Sequence, residues 1–326
     1  MPNPPHQKQN PEVVELPVTA PVDEVVKVIR RDGGVIIKNF ITPETVDQIN
    51  KEVEPFWQQK GVYKGSLFNA DDPPMSGLAG KSRTVAHKIL NHPLYRDAAK
   101  EILRDVTYPW WGDSRSICVS DPVLAVSQAF TRGPHTKGQP LHRDDTPQHF
   151  EHVEGSGDSS LLGILVAGSR CTFENGATQL IVGSHLWGDE RGPADPSLCS
   201  TGEMEVGDAL IIIGSIWHGA GHNISDGRRN IFSMHMVRGT YRQDENQFLA
   251  IRRDVVKTYD PEVQALIGYS VSQPYLGYVD FDDPIKLLSD TPQLAQHDLQ
   301  GVIFEGPGSE TFTGPKPTIP KEVVTV

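Results

Sequence analysis

The sequence predicts a mainly β protein, an antiparallel sandwich or barrel with flanking helices, and three observations carry that prediction. Between about residues 116 and 240, short apolar runs (VLAVSQAF, LLGILVAG, ATQLIVG, ALIIIGSIW and NIFSMHMV) are punctuated by Gly, Asp and Asn. No helical segment intervenes, so these runs pair antiparallel rather than as βαβ units. The 30 Gly and 26 Pro among 326 residues favour strands and turns over long helices. Helical spacing is confined to the flanks.

Taken in order, residues 1–20 read as a flexible leader, polar and Pro-rich. After Pro21, the positions Val22, Val25, Val26, Val28 and Ile29 have helical spacing, which Gly33-Gly34 stops. Val35-Ile36-Ile37 reads as a short strand, and Thr42-Pro43-Glu44 offers an N-cap, a first-turn Pro and an acid for a helix to about Lys60. Residues 61–85 are rich in Gly and Pro without periodicity and read as a long loop, a candidate lid. His92-Pro93 opens another helix through about Asp105, and the strand block follows. Residues 244–268 return to helix, with Pro261-Glu262 as a second start. The stretch 289–326 is weakly patterned and reads as an extended or mobile tail. One domain over 21–288 is expected, with no internal repeat.

Charge and cysteines bound the function. A net charge of −12 repels phosphate backbones and anionic membranes, which disfavours nucleic-acid binding. No stretch approaches the roughly 20 apolar residues of a membrane span, and the first residues lack the apolar core of a signal peptide. A soluble, cytoplasmic protein is expected. Cys118, Cys171 and Cys199 are odd in number and form no C-x-x-C pair, so they read as free thiols in a reducing compartment.

Chemistry concentrates in Gly138-Gln139-Pro140-Leu141-His142-Arg143-Asp144-Asp145, just after a predicted strand. On extended backbone alternate side chains share a face, so His142 and Asp144 can bind one ion. His218, at the end of the apolar run 209–217, is the candidate third ligand. Two imidazoles and one carboxylate make the facial triad of non-haem iron(II) oxygenases, although zinc, manganese or cobalt also accept such donors. His-x-Asp is common by chance, and His149-Phe150-Glu151, with His152 beside it, repeats the spacing. That rival lies in a polar stretch and reads as a solvated loop. His87, His92, His185, His222 and His235 read as structural or surface groups. Asn175-Gly176 is a turn signal, assigned with Gly183-Ser184-His185 to scaffold, and Trp217 reads as core.

An ordered series of motifs narrows this further. QPLHRDD, then Glu174-Asn175-Gly176-Ala177-Thr178-Gln179-Leu180-Ile181-Val182-Gly183-Ser184-His185-Leu186-Trp187, then Val206-Gly207-Asp208-Ala209, His218-Gly219-Ala220-Gly221 and Arg228-Arg229 resemble the phytanoyl-CoA dioxygenase-like family. The likeness spans roughly residues 22–285 and is greatest to the fungal branch that tailors alkaloids and meroterpenoids. It implies a double-stranded β-helix, a cupin-like jelly roll, with Fe(II) held by His142, Asp144 and His218 at one open end. It also implies 2-oxoglutarate and O2 as co-substrates.

Of the two adjacent arginines, which face opposite ways on a strand, Arg229 stands 11 residues past His218, as in the family, and is expected to bind the far carboxylate of 2-oxoglutarate. The resemblance places Gln139 and Thr178 beside the co-substrate. Candidate substrate contacts are Tyr63, Leu67 and Phe68, the Arg83–His87 segment, Phe130, and Tyr275-Leu276-Gly277-Tyr278. A largely apolar polycyclic natural product is the expected substrate, to be hydroxylated, desaturated, epoxidised, rearranged or endoperoxidised. Competing readings are an acyl-CoA hydroxylase of the phytanoyl-CoA type, a non-redox metal-dependent hydrolase or isomerase, and a catalytically silent binding subunit. A homodimer using the C-terminal segment is a further implication of the resemblance.

Overall fold

In the computed structural model, which describes residues 10–57, 73–289, 303–305 and 308–315, helices begin where the sequence offers caps. Helix α1 (Val22–Asp32) has Asp23 and Glu24 in its first turn and Arg30 and Arg31 in its last, charges that suit the helix dipole. Gly33 ends it at φ 84°, a left-handed conformation open to glycine. Helix α2 (Pro43–Trp57) starts behind Thr42, whose hydroxyl accepts the Thr45 N–H at 3.3 Å. Two short helices follow, α3 (Leu78–Lys81) and α4 (Arg83–Val85). In α5 (Pro93–Leu103), His92 accepts the Leu94 N–H at 3.3 Å and Pro93 fills the first turn.

The largest sheet runs, edge to edge, β1 (Glu15–Pro17), β2 (Gly34–Lys38), β12 (Ala209–Ile213), β9 (Leu161–Ala167), β14 (Arg229–Val237), β8 (Val123–Arg132) and β3 (Met75–Ser76). A smaller sheet contains β11 (Ser200–Gly202), β10 (Thr178–Leu180) and β13 (His218–Ala220), and His142 bridges to His218 on the other side of β13. Two minor sheets pair β4 (Asp105–Thr107) with β7 (Cys118–Ser120), and β5 (Trp110–Trp111) with β6 (Ser114–Arg115) and β15 (Glu310–Thr311). Along the chain, β8, the His142 segment, β9, β10, β11, β12, β13 and β14 divide between the two principal sheets. This is the double-stranded β-helix that the motif series implied.

The core lies between those sheets and beneath the helices. All five residues of β12, ALIII, are buried: Leu210 reaches Gly202 of β11 in the smaller sheet, and α1 packs against the strand as well. On the outer side, the Tyr95 hydroxyl of α5 donates to the Leu162 carbonyl at 2.8 Å. Truncating such a residue, Ile212→Ala for example, costs about 2–5 kcal/mol.

Several segments differ from the sequence reading, each for a tertiary reason. Residues 10–17 belong to the domain rather than to a flexible leader: β1 pairs parallel with β2, and Val13, Val14 and Leu16 pack on the core. Of the expected loop 61–85, positions up to 72 lie outside the described residues, and 73–85 carry β3, α3 and α4, with Met75, Leu78, Ala79 and Val85 buried. There the Ala79 N–H donates to Ser127 Oγ at 3.0 Å and the Tyr259 hydroxyl donates to the Ala79 carbonyl at 2.7 Å. Those long-range bonds outweigh the local glycines. Asp105 starts β4 instead of ending α5. The 244–268 helix is three pieces, α6 (Gln247–Ala250), α7 (Arg253–Val256) and α8 (Pro261–Ile267). Within the expected tail, β15 pairs with β6, and Phe312 meets Trp110 edge-on at 5.7 Å. No helix of the described residues is long and apolar enough to cross a membrane.

Candidate active site

The ligand segment is held to the smaller sheet by backbone bonds. His142 and His218 exchange N–H and C=O at 2.9 and 3.0 Å, and the Asp144 N–H donates to the Gly214 carbonyl at 2.8 Å. Alternation then sends His142 and Asp144 one way, and Arg143 and Asp145 the other. Gly176, at φ 82°, turns the chain before β10, and a Cβ there would come within 2.6 Å of the Gly221 carbonyl oxygen. The turn signal at 175–176 is therefore also a site of close backbone approach, beside the glycines that follow His218.

One ligand atom from each of His142, Asp144 and His218 falls within 4.8 Å of the others. His142 Nε2 lies 3.6 Å from Asp144 Oδ1, and His218 Nε2 lies 3.3 Å from Asp144 Oδ2. Each ring's other nitrogen faces a carbonyl: His142 Nδ1 is 2.8 Å from the Pro140 oxygen and His218 Nδ1 is 3.1 Å from that of Ile216. A carbonyl only accepts, so both Nδ1 atoms carry the proton. The Nε2 atoms, aimed at the shared centre, are then the ones available to bind a metal.

Electrostatics agree with a cation site. Burial opposes ionisation of Asp144, yet the imidazoles of His218 and His235 outweigh it and hold the carboxyl well below its usual range. Burial also opposes a charged His218, which Asp144 nevertheless raises above the ordinary imidazole value. His142 is lowered by burial and by His218, and so is kept in the neutral form that a metal requires. Nitrogen and oxygen donors without thiolate fit iron(II), with coordination positions left for reactants.

Arg229 begins β14 and is only 3% exposed. Its guanidinium contacts the Cys171 thiol, and its Nε has no hydrogen-bond partner. Arg132 stands opposite it across β8. A buried cation without a carboxylate is costly, so this end of the interior is built for an anion. Thr178, 5% exposed, lies opposite Ala220 on β10, two residues from Leu180, which lies opposite His218. It thus shares the inner face with the metal ligand. Gln139 Oε1 already accepts the Ala220 N–H at 3.0 Å, which leaves its NH2 to donate elsewhere. Phe130 is half-buried opposite Ile231, on the row next to Arg132 and Arg229. Tyr63, Leu67 and Phe68 lie outside the described residues.

Arg143 and Asp145 enter a second cluster that the sequence reading missed. Arg143 Nη1 binds Asp189 Oδ1 at 2.8 Å, and its guanidinium lies 5.0 Å over the Trp217 ring, next to His218. Asp145, fully buried, meets His152 Nε2 at 3.0 Å and accepts from the Ser159 hydroxyl at 3.1 Å. His152 Nδ1 in turn faces Asp189 Oδ1 at 2.9 Å. His149 and Glu151 of the rival motif are exposed, as expected of a solvated loop, but His152 is buried. His235, expected as a structural or surface group, instead reaches the site: its Nε2 lies 3.1 Å from Asp144 Oδ2. The signal was present, since 235 is an even number of residues from 229 on one strand and shares the face of Arg229.

Residues 29–231 match the sequence profile of the phytanoyl-CoA dioxygenase (PhyH) family. The chain belongs to this family. It is 33% identical over 290 residues to dioxygenase swnH1 of Metarhizium robertsii, covering 87% of this chain and 94% of that relative. It is 36% identical over 298 residues to dioxygenase swnH2 of Arthroderma benhamiae, covering 88% of this chain and 93% of that relative. Among solved structures, the non-haem α-ketoglutarate-dependent epimerase SnoN of nogalamycin biosynthesis shares the fold, with a TM-score of 0.51 at 19% identity over 70% of this chain and 88% of that one. As a PhyH-family member with an intact His-Asp-His site, the protein is an iron(II)- and 2-oxoglutarate-dependent dioxygenase.

Proposed function

We propose that this dioxygenase oxidises a carbon centre of a largely apolar polycyclic natural product in fungal secondary metabolism, such as a meroterpenoid or an alkaloid. The observation that carries the reading is the pairing of the open His142, Asp144 and His218 site with a buried Arg229 that has no ion-pair partner among the described residues. One end accepts a metal and a keto acid, and the other accepts a carboxylate. His142, Asp144 and His218 hold the iron, and Arg229 takes the far carboxylate of 2-oxoglutarate with its planar fork. Gln139 donates from its side-chain NH2 and Thr178 from its hydroxyl. What bound iron(II), 2-oxoglutarate and O2 supply is oxidation of a substrate C–H bond, with 2-oxoglutarate leaving as succinate and carbon dioxide.

The protein's own part is orientation and exclusion of water. Inward residues Ile212, Leu210 and Leu165 give the interior an apolar lining beyond the ligands. Phe130, Tyr63 and Phe68 contact the substrate, and the carbon they present decides between hydroxylation, desaturation, epoxidation, rearrangement and endoperoxidation. Likeness to fungal dioxygenases such as swnH1 and swnH2 supports a secondary-metabolite substrate. A net charge of −12 disfavours a coenzyme A thioester.

We further infer a homodimer. The minor sheet around β5 leaves Trp110 51% and Trp111 47% exposed, an apolar face suited to a second copy. Light scattering that returns the mass of one chain counts against it.

Anaerobic titration with iron(II) and 2-oxoglutarate tests the site: a weak visible charge-transfer band is expected, abolished in H142A. Absence of the band in wild type overturns the site reading. Incubation with terpenoid and alkaloid intermediates, with products followed by mass spectrometry, then tests the substrate class. Turnover confined to acyl-CoA thioesters overturns that part.

A further inference from the structure

We infer that His235 is a positioning residue for the metal-binding carboxylate: its imidazole engages Asp144 Oδ2 and leaves Oδ1 to face the metal. The inference rests on His142, Asp144 and His218 being the ligands.

Three observations on β14 and its neighbours carry it. His235 is 9% exposed and its Nε2 lies 3.1 Å from Asp144 Oδ2. That nitrogen has no well-aligned hydrogen-bond partner although it is buried. An unpaired buried ring nitrogen is costly, and its closest ion-pair contact is a carboxylate. The other groups that act on the Asp144 carboxylate, among the described residues, are the two ligand histidines, His142 at Oδ1 and His218 at Oδ2, and the carboxyl of Asp244, which repels it and interacts favourably with His235. The Nε2 atoms of the ligand histidines are committed to the metal, so His235 is the donor left for the second oxygen.

The fold makes room for this ring. Gly163 of β9 lies opposite His235, and a Cβ there would come within 2.4 Å of His235 Cδ2 and 2.6 Å of Nε2. Any other residue at 163 displaces the imidazole. A glycine inside an otherwise apolar strand, LLGILVA, weakens the strand and is explained by this close approach.

With Oδ2 held by a donor, the Asp144 carboxylate would offer Oδ1 to a bound metal, one oxygen rather than two, and so leave room for the keto acid and O2. Partners of this kind typically contribute 10- to 100-fold to metal affinity, so a loss of about that size is expected on removal.

The test uses cobalt(II) as the probe, added anaerobically to the apo full chain, with affinity from calorimetry and geometry from the visible spectrum. H235A is expected to bind one cobalt(II) about 10- to 100-fold more weakly, with an altered spectrum. H235Q, whose side-chain N–H can reach the same oxygen, recovers most of the affinity. G163A keeps the imidazole but pushes it aside, and weakens binding in the same direction. Thermal melts within a few degrees of wild type establish that the variants are folded.

Wild-type affinity and spectrum in H235A overturn the inference and leave the ligand assignment intact. Complete loss of binding in folded H235A overturns it too, because His235 is then itself a ligand. Wild type that binds no cobalt(II) overturns the ligand assignment and this inference together.

Discussion

Two His–Asp clusters lie back to back on the segment 142–152, and only one of them is complete. His152, Asp145 and Asp189 are joined by Arg143 and the Ser159 hydroxyl, so the buried acid has donors on both oxygens. His142, Asp144 and His218 have imidazoles facing a carboxylate and no Lys or Arg among their described partners. A structural cluster differs from a functional one in whether its own side chains satisfy the buried acid. Buried acids need positive partners, and a site that lacks a fixed cation has left that place for a mobile one. The closed cluster also anchors the open one: Arg143 stands between two ligands and stacks on the residue beside the third.

The largest effects are expected at the open cluster. Asp144→Ala or His218→Ala should remove metal binding and lower turnover by more than the roughly 100-fold attributed to partners outside the ligand shell. Calorimetry with cobalt(II) and succinate release measure the two effects, and near-normal binding in either variant would contradict the ligand set. Next comes the anion end. Arg229→Met should raise the KM for 2-oxoglutarate about 100-fold, the equivalent of roughly 3 kcal/mol for a charged hydrogen-bonded pair. Arg229→Lys should recover part of that loss, because charge survives although the fork does not.

At the closed cluster the expected loss is stability rather than metal. His152→Ala leaves Asp145 without its imidazole, and breaking a buried pair costs about 3–5 kcal/mol, seen as a lower denaturant midpoint. The metal stoichiometry should stay at one. Loss of metal with unchanged stability would reverse the roles assigned to the two clusters.

The two clusters are also distinguished by pH. Burial pulls His152 down, but its hydrogen bond and charge pairing with Asp145 outweigh that and leave it raised. A raised histidine contributes stability that is complete below the unfolded value of about 6.5 and disappears as pH rises through the folded value. The difference between wild-type and His152→Ala unfolding curves should therefore shrink as pH rises above neutrality. A difference that grows with pH would rule out the protonated pairing. The smallest effect is expected of Thr178→Val, which deletes one hydroxyl worth about 1 kcal/mol and should raise the KM for 2-oxoglutarate several-fold, leaving metal affinity as it was.

Some of this was legible residue by residue. The caps at Thr42 and His92, the stop at Gly33 and the buried run ALIII depend on neighbours a few positions away, and sequence patterns report such neighbours directly. Residues 73–85 were not legible, because Gly77 and Gly80 signal a loop while bonds to Ser127 and Tyr259 impose helix. Val14, Leu16 and Val18 already alternate with Glu15 and Pro17, a strand signal that the proline-rich surroundings concealed.

For the site, the sequence alone determined which side chains could act together along one strand. That His142 and Asp144 share a face, and that only one of Arg228 and Arg229 can face inward, follows from the two-residue period of extended backbone, while the resemblance to the family chose Arg229 and its motif order supported His218. Tertiary structure decided what faces them across strands. Whether His235 reaches Asp144 depends on β14 lying beside β9 at Gly163, and whether His152 closes on Asp145 depends on Asp189, which is 37 residues further along the chain from His152. The physical reason is range: backbone geometry sets alternation within a strand, whereas pairing between distant segments is set by how the whole core packs.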